Sequence, residues 1–307
     1  MSGPVHDAVM LMAFGAPEAE RDVAAFLGNV TRGRPLPASR LREVEAHYRA
    51  VGGGSPLNAL TARQARALKT ALQRQGVSIP VTVGMRYWPP FIRDTLAGLA
   101  EAGARRVMGL IMAPFESDAS RGAYRRAVEQ ARAELGQRAP AIAYAPPLVE
   151  SRGFAAASQA HIAEAMQELG EVELEHTTLL FTAHSVPDHG ADGFVYANQF
   201  ERCAAQIARA VGHPRYAVAY QSRSGAPAER WLEPEVRAVI RVEAERGTRC
   251  LVVSPVGFAC DNLEVLYDLD IEARQAATAA GLQFRRASAV NDHPAFIEGL
   301  VGLVLDG

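Results

Sequence analysis

Eight short strand-like runs alternate with ten amphipathic stretches along the 307-residue chain, and few folds accommodate that order. The runs fall at residues 8–14, 80–85, 107–112, 141–144, 178–182, 216–220, 250–254 and 283–287. Between and after them lie helical patterns at 18–29, 39–50, 59–75, 91–102, 121–135, 155–169, 195–211, 234–246, 262–280 and 294–305. Strands separated by helices pair in parallel, through right-handed crossovers, with helices on both faces. Four runs precede residue 150 and four follow it. The order predicts an α/β protein of two Rossmann-like parallel-sheet domains, residues 1–150 and 151–307, facing a central cleft. Ligands of open α/β sheets bind outside the carboxyl ends of the strands. Residues just past each run are therefore the first candidates for a site.

The stretch from Cys250 to Glu272 carries the most chemistry. An uncharged β-branched run reads as a buried parallel strand, and Pro255 and Gly257 end it. Asp261 suits the N-cap of a helix beginning near Asn262. Glu264, Asp268 and Glu272 then recur at i, i+4 and i+8. In an α-helix four residues overshoot one turn by about 40°, so the carboxylates form one slanted row. Like charges at that spacing repel. A plainer reading makes Glu264 half of a capping box with Asp261, and Asp268 and Glu272 a solvated face near Arg274. The row's start at a strand end favours a site. His184 tops another strand in the same manner, and a neutral imidazole with a carboxylate suits a first-row divalent metal. His6, His47, His161, His176, His189, His213 and His293 read as structural histidines.

Elsewhere the chain excludes more than it proposes. A formal net charge of −2 argues against nucleic acid held by backbone electrostatics. No basic-then-apolar leader is present, and no apolar stretch approaches the roughly 18 residues a membrane span needs. The expectation is a cytoplasmic protein without a transmembrane segment. Cys203, Cys250 and Cys260 are scattered without a C-x-x-C, which gives neither a disulfide framework nor a four-thiolate site. No G-x-S-x-G elbow accompanies Ser185 or Ser222. Gly52-Gly-Gly-Ser-Pro56 reads either as a helix start with backbone amides free for an anion or as a plain turn; it lacks the lysine of a P-loop. Arg32 and Arg34 offer guanidiniums to carboxylates, and Arg86-Tyr-Trp-Pro-Pro90, Tyr124 and Trp231 supply an aromatic rim with a few cations. Such a rim suits a flat, anionic, aromatic ligand.

Phe181-Thr-Ala-His-Ser-Val-Pro187, Tyr220-Gln-Ser-Arg-Ser-Gly225 with Trp231-Leu-Glu-Pro234, and the Pro255–Glu272 stretch together resemble the ferrochelatase family. Met12-Ala-Phe-Gly-Ala-Pro17, His47–Pro56 and Asn291–Phe296 extend the resemblance over nearly the whole chain. It implies a type II chelatase-like fold and insertion of ferrous iron into a porphyrin. It implies His184 and Glu264 as the metal- and proton-handling pair, with Asp268 and Glu272 continuing the acidic row. Arg32, Ser55 and Tyr124 match propionate-holding positions, and Phe14, Trp231 and Phe258 match positions near the macrocycle. Phe14 stands where some relatives have an iron-ligating tyrosine, so that contact is missing here. Some relatives carry an iron–sulfur cluster on extra cysteines; none is expected here, nor any cofactor beyond the substrate iron. The segment 29–34 looks like the coproporphyrin III branch, whose product is coprohaem III; protoporphyrin IX is the alternative substrate. Transient contact with neighbouring haem-pathway enzymes is the further partner expectation. A cobalt chelatase of the same fold and a non-catalytic porphyrin carrier remain alternatives, which metal competition and turnover separate.

Overall fold

The computed structural model describes residues 5–170, 173–224 and 229–306, so the Gly225 end of the Tyr220–Gly225 motif lies outside the described residues. All eight predicted strands form: β1 (Ala8–Ala13), β2 (Val81–Met85), β3 (Arg106–Ile111), β4 (Ala141–Tyr144), β5 (Thr177–His184), β6 (Tyr216–Gln221), β7 (Cys250–Ser254) and β8 (Gln283–Arg286). They make two four-stranded parallel sheets, ordered β2-β1-β3-β4 and β6-β5-β7-β8. Helices α1 (Val23–Val30), α2 (Ala38–Ala50), α3 (Leu57–Arg74), α4 (Ile92–Glu101) and α5 (Ala123–Leu135) accompany the first sheet in sequence. They are followed by α6 (Arg152–Leu169), α7 (Ala191–Ala210), α8 (Val236–Glu245), α9 (Arg274–Ala279) and α10 (Pro294–Leu305).

The inner strands follow from their composition. β1 is buried at every residue, and β5 is buried until its last, His184. Parallel strands covered on both faces lack a polar side and read as continuous apolar runs. β5 outlasts its predicted end by two residues, because Ala183 and His184 still pair with Tyr220 and Gln221 of β6. Two predicted helices change character at functional positions. The segment Asp118–Gly122 ahead of α5 is a π-helix, and so is Val265–Ala273 ahead of α9. Wide π-turns are rare and concentrate at functional sites. The two halves are joined by more than the chain: α10 packs on both α6 and α3, and the Gln64 amide of α3 donates to the Ala259 and Asn291 carbonyls at 2.9 and 2.7 Å.

Two of the glycines required by close backbone approach border the cleft. A Cβ on Gly54 would sit 2.2 Å from the Glu18 carbonyl oxygen. One on Gly257 would sit 2.4 Å from Ala183 Cα, because the Gly257 amide donates to the Thr182 carbonyl at 2.9 Å. The loop after β7 thereby lies directly on β5, one residue before His184. Gly257→Ala must push backbone from backbone, and overpacking of this kind costs about 1–3 kcal/mol. Urea denaturation should show that loss of stability; an unchanged midpoint would contradict the packing described.

Candidate active site

His184 enters the cleft as the first partly open residue of β5, and its surroundings fix the ring. The Tyr196 hydroxyl donates to the His184 carbonyl at 2.9 Å, and the Ser185 hydroxyl donates to the Leu232 carbonyl at 2.8 Å. Nδ1 is bonded to the Ser185 carbonyl, which leaves Nε2 to face Glu264, 3.4 Å from Oε1. Trp231 lies beside the imidazole with ring centroids 6.4 Å apart; its strand-like pairing with Pro187 holds it there.

Glu264 is free to face the histidine because capping falls to other residues. The Asn262 side chain accepts from the Val265 amide at 3.0 Å and caps the turn. Asp261, the predicted cap, accepts instead from Arg286, from the Ala289 amide and from the Asn291 side chain at 3.0–3.2 Å. The Asp261 amide donates to the Asn291 side chain at 2.9 Å, so the capping box does not form. The predicted acidic row survives on the π-helix, but its slant reverses. Each i→i+5 turn holds more residues, so four now fall short of a full turn. Asp268 accepts from the Ser222 hydroxyl, and Glu272 lies 3.6 Å from Arg237, the cation that offsets the row's outer end.

The row shifts its own titration. Burial alone would hold the His184 imidazolium down, but the Glu264 carboxylate, the Ser185 carbonyl and Asp268 outweigh it and raise the group to about 9. The side chain nevertheless keeps 29% of its surface open to the cleft. Asp268 moves up to about 7, mainly through burial, with the Ser222 bond opposing and Glu264 and Glu272 adding repulsion.

The first half supplies the opposite wall. The Arg86 guanidinium lies over the rings of Phe14, Tyr87 and Tyr124, at 5.8, 4.7 and 5.0 Å from their centroids, and donates to the Tyr87 hydroxyl at 2.6 Å. Phe14 is 40% exposed, and Tyr124 is buried, which pushes its phenol well above the usual range. The glycine run forms a turn in which three amides are already taken. The Gly52 and Gly53 amides donate to the Arg49 and Tyr48 carbonyls, and the Ser55 amide to that of Pro17. The Ser55 side chain accepts from the Leu57 amide at 3.4 Å.

One cavity of about 860 Å³ gathers these side chains. His184, Glu264, Asp268, Glu272, Phe14, Ser55, Tyr124, Trp231 and Phe258 all line it. Arg32 does not: it sits at positive φ in the exposed turn after α1, outside the lining. Arg40 on α2 takes a place on the wall instead, 2.8 Å from Glu43. His47, read from sequence as structural, also lines the cavity and stacks on Tyr267 at 3.8 Å, with its pKa lowered by burial. His47 opens the His47–Pro56 stretch that carries the family resemblance, and Arg40 lies seven residues before it on the same helical face, a spacing that becomes informative once α2 is known to border the cleft. The three cysteines are free and buried, and burial pushes the Cys203 and Cys260 thiols up to about 12.

The ferrochelatase family model matches residues 6–307. The chain belongs to the ferrochelatase family. Within it, the coproporphyrin III ferrochelatase of Frankia alni is 41% identical over 308 residues, covering 95% of this chain and 77% of its own. The coproporphyrin III ferrochelatase of Mycolicibacterium smegmatis is 36% identical over 303 residues, covering 97% and 88%. Among solved structures, the sirohydrochlorin chelatase SirB of Bacillus subtilis subspecies spizizenii in complex with cobalt gives a TM-score of 0.55 at 10% identity, covering 97% of this chain and 93% of its own. A multi-domain Deinococcus radiodurans protein with structural similarity to chelatases gives 0.59 at 16% identity; this chain, covered to 98%, spans 55% of that one. The fold is that of the chelatases. No helix of the described residues is long and apolar enough to cross a membrane.

The raised Asp268 pKa makes a prediction for stability. A carboxyl with a folded pKa above its unfolded value stabilises the fold while protonated and loses that advantage as pH rises through about 7. Asp268→Asn removes the charge and keeps an acceptor for Ser222. The variant should therefore be more stable than wild type at pH 8, by of order 1 kcal/mol, and the difference should vanish near pH 4. Denaturant melts at both pH values check this, and a variant less stable at pH 8 would contradict it.

Proposed function

We propose that this ferrochelatase inserts ferrous iron into coproporphyrin III, giving coprohaem III for haem biosynthesis. The observation that carries the chemistry is His184 Nε2 held 3.4 Å from Glu264 at the wall of a porphyrin-sized cavity. The likeness to coproporphyrin III ferrochelatases, over 97% and 95% of this chain, supports the choice of porphyrin.

The reaction requires two pyrrole protons to leave as a cation enters. A flat porphyrin resists, since its nitrogen lone pairs point in the ring plane; a cavity that bends the ring exposes one face at the expense of propionate binding energy. In this reading Phe14, Trp231 and Phe258 confine the macrocycle, and Arg86, Arg40, Ser55 and Tyr124 hold its propionates. No carboxylate among the described residues pairs with Arg86, so a substrate carboxylate is its natural counterion. Glu264 receives the substrate cation. Its arrival cancels the negative field that raises His184, so the imidazolium releases its proton to the acidic row and solvent. The neutral ring then accepts the two pyrrole protons one after the other, passing the first on by the same route before taking the second. Asp268 and Glu272 carry charge away along the π-helix. No resident cofactor is part of this proposal, and residues 1–150 and 151–307 are its two functional halves.

Steady-state insertion of ferrous iron or zinc, followed optically, tests the reading. Coproporphyrin III should exceed protoporphyrin IX in kcat/KM by about tenfold or more, since two extra propionates each gain a charge-assisted bond worth about 1.5–3 kcal/mol before desolvation. Arg86→Ala should erode that preference, His184→Ala should abolish insertion in a folded protein, and Glu264→Gln should be worse than Glu272→Gln. Equal or better turnover of protoporphyrin IX would contradict the substrate; a folded, active His184→Ala would contradict the chemistry.

A further inference from the structure

The π-helix that carries the acidic row is gripped from behind by one side chain. Arg286, at the end of β8, donates from Nε and Nη2 to the two oxygens of Asp270 at 2.8 and 2.9 Å. Its Nη1 donates to Asp261 Oδ1 at 3.0 Å. Asp261 and Asp270 bracket the segment that contains Glu264 and Asp268, so one planar fork fixes both of its ends. The side chains of Arg286 and Asp261 are 11% and 14% exposed. Arg274 is the second cation on Asp270, at the looser distance of 3.6 Å. Asp261 is itself fixed by a reciprocal pair with Asn291, whose carbonyl accepts from Gln64 of α3.

We propose that Arg286 is the positioning residue of the acidic row, tying Asp261 ahead of the wide turn to Asp270 within it, so that the entry to Val265–Ala273 aims Glu264 at His184. The inference rests on the proposed chelatase chemistry and adds a residue to it. The physical reason is rotational. With i→i+5 turns each residue advances less than the α-helical 100°, and over the six steps from Glu264 to Asp270 the difference accumulates to roughly a quarter turn or more. With Asp270 held on Arg286, an α-helical turn would swing Glu264 away from Nε2. Three hydrogen bonds in fixed directions supply a constraint that an ammonium point charge cannot reproduce.

Arg286→Lys and Asp270→Asn test the assignment, each compared with wild type for thermal stability, for kcat and KM with coproporphyrin III and zinc, and for amide hydrogen exchange of residues 262–273. Positioning predicts that kcat falls by about tenfold or more while the porphyrin KM stays within about twofold. It also predicts faster exchange in 262–273 with β5 and β7 unchanged. Asp270→Asn, which keeps the acceptor geometry on one oxygen, should fall between wild type and Arg286→Lys. Unchanged kcat in a folded Arg286→Lys protein, or a loss that merely follows the folded fraction with no local change in exchange, would overturn the proposal. A wild-type protein that metallates no porphyrin would overturn the proposed function instead, and the exchange data would still decide whether Arg286 holds the turn.

Discussion

The site depends on one backbone contact, the Gly257 amide on the Thr182 carbonyl. Parallel strands deliver residues to the same edge of a sheet but do not determine how close the loops that follow will lie. Here the loop after β7 has no side chain at the point of contact, and it reaches β5 a single residue before His184. The Asn262 cap then turns the chain so that Glu264 faces the imidazole at 3.4 Å. A bulkier residue at position 257 would leave both sheets intact and separate the two groups.

Charge balance is the second constraint. Asp261, Glu264, Asp268, Asp270 and Glu272 crowd one short segment, and their charges are balanced in different ways. Asp261 and Asp270 share Arg286, Glu272 lies near Arg237, and Glu264 faces His184. Asp268 accepts from the Ser222 hydroxyl, and burial beside Glu264 and Glu272 makes it bind its proton more tightly. Asp261 and Asp270, outside the cavity lining, are tied to Arg286, whereas Glu264, Asp268 and Glu272 on the lining keep a histidine, a hydroxyl and a more distant arginine. Exchangeable charge on that side is what a transient cation requires, because a closed set of strong ligands would retain the metal.

The architecture was legible because it rests on periodicity. All eight strands were placed from apolar runs, and most errors fell at ends such as that of β5, where pairing with β6 outlasted the hydrophobic signal. His184 and the acidic row were legible for the same reason, as polar residues sitting just past buried strands. Pairwise geometry was not. Nothing in the order Asp261–Asn262 says which residue caps, since both side chains suit it; long-range partners Arg286 and Asn291 decide. The glycine run read equally as an anion site or a plain turn, and neighbouring carbonyls take its Gly52, Gly53 and Ser55 amides. Arg32 was one of several cations offered to the cleft, but the left-handed turn after α1 leaves it outside, whereas Arg86, read as part of the rim, stands on the wall with Arg40. The π-turn escaped detection because its sequence satisfies α-helical spacing as well.

The central claim is that Glu264 and His184 act as one electrostatic unit at the cleft. The most direct test follows the His184 ring by nitrogen NMR across pH in the metal-free, porphyrin-free protein. The account predicts titration near 9 in wild type and a fall toward the ordinary value of 6.5 in Glu264→Gln. A wild-type His184 that titrates at 6.5, indifferent to the loss of Glu264, would contradict it.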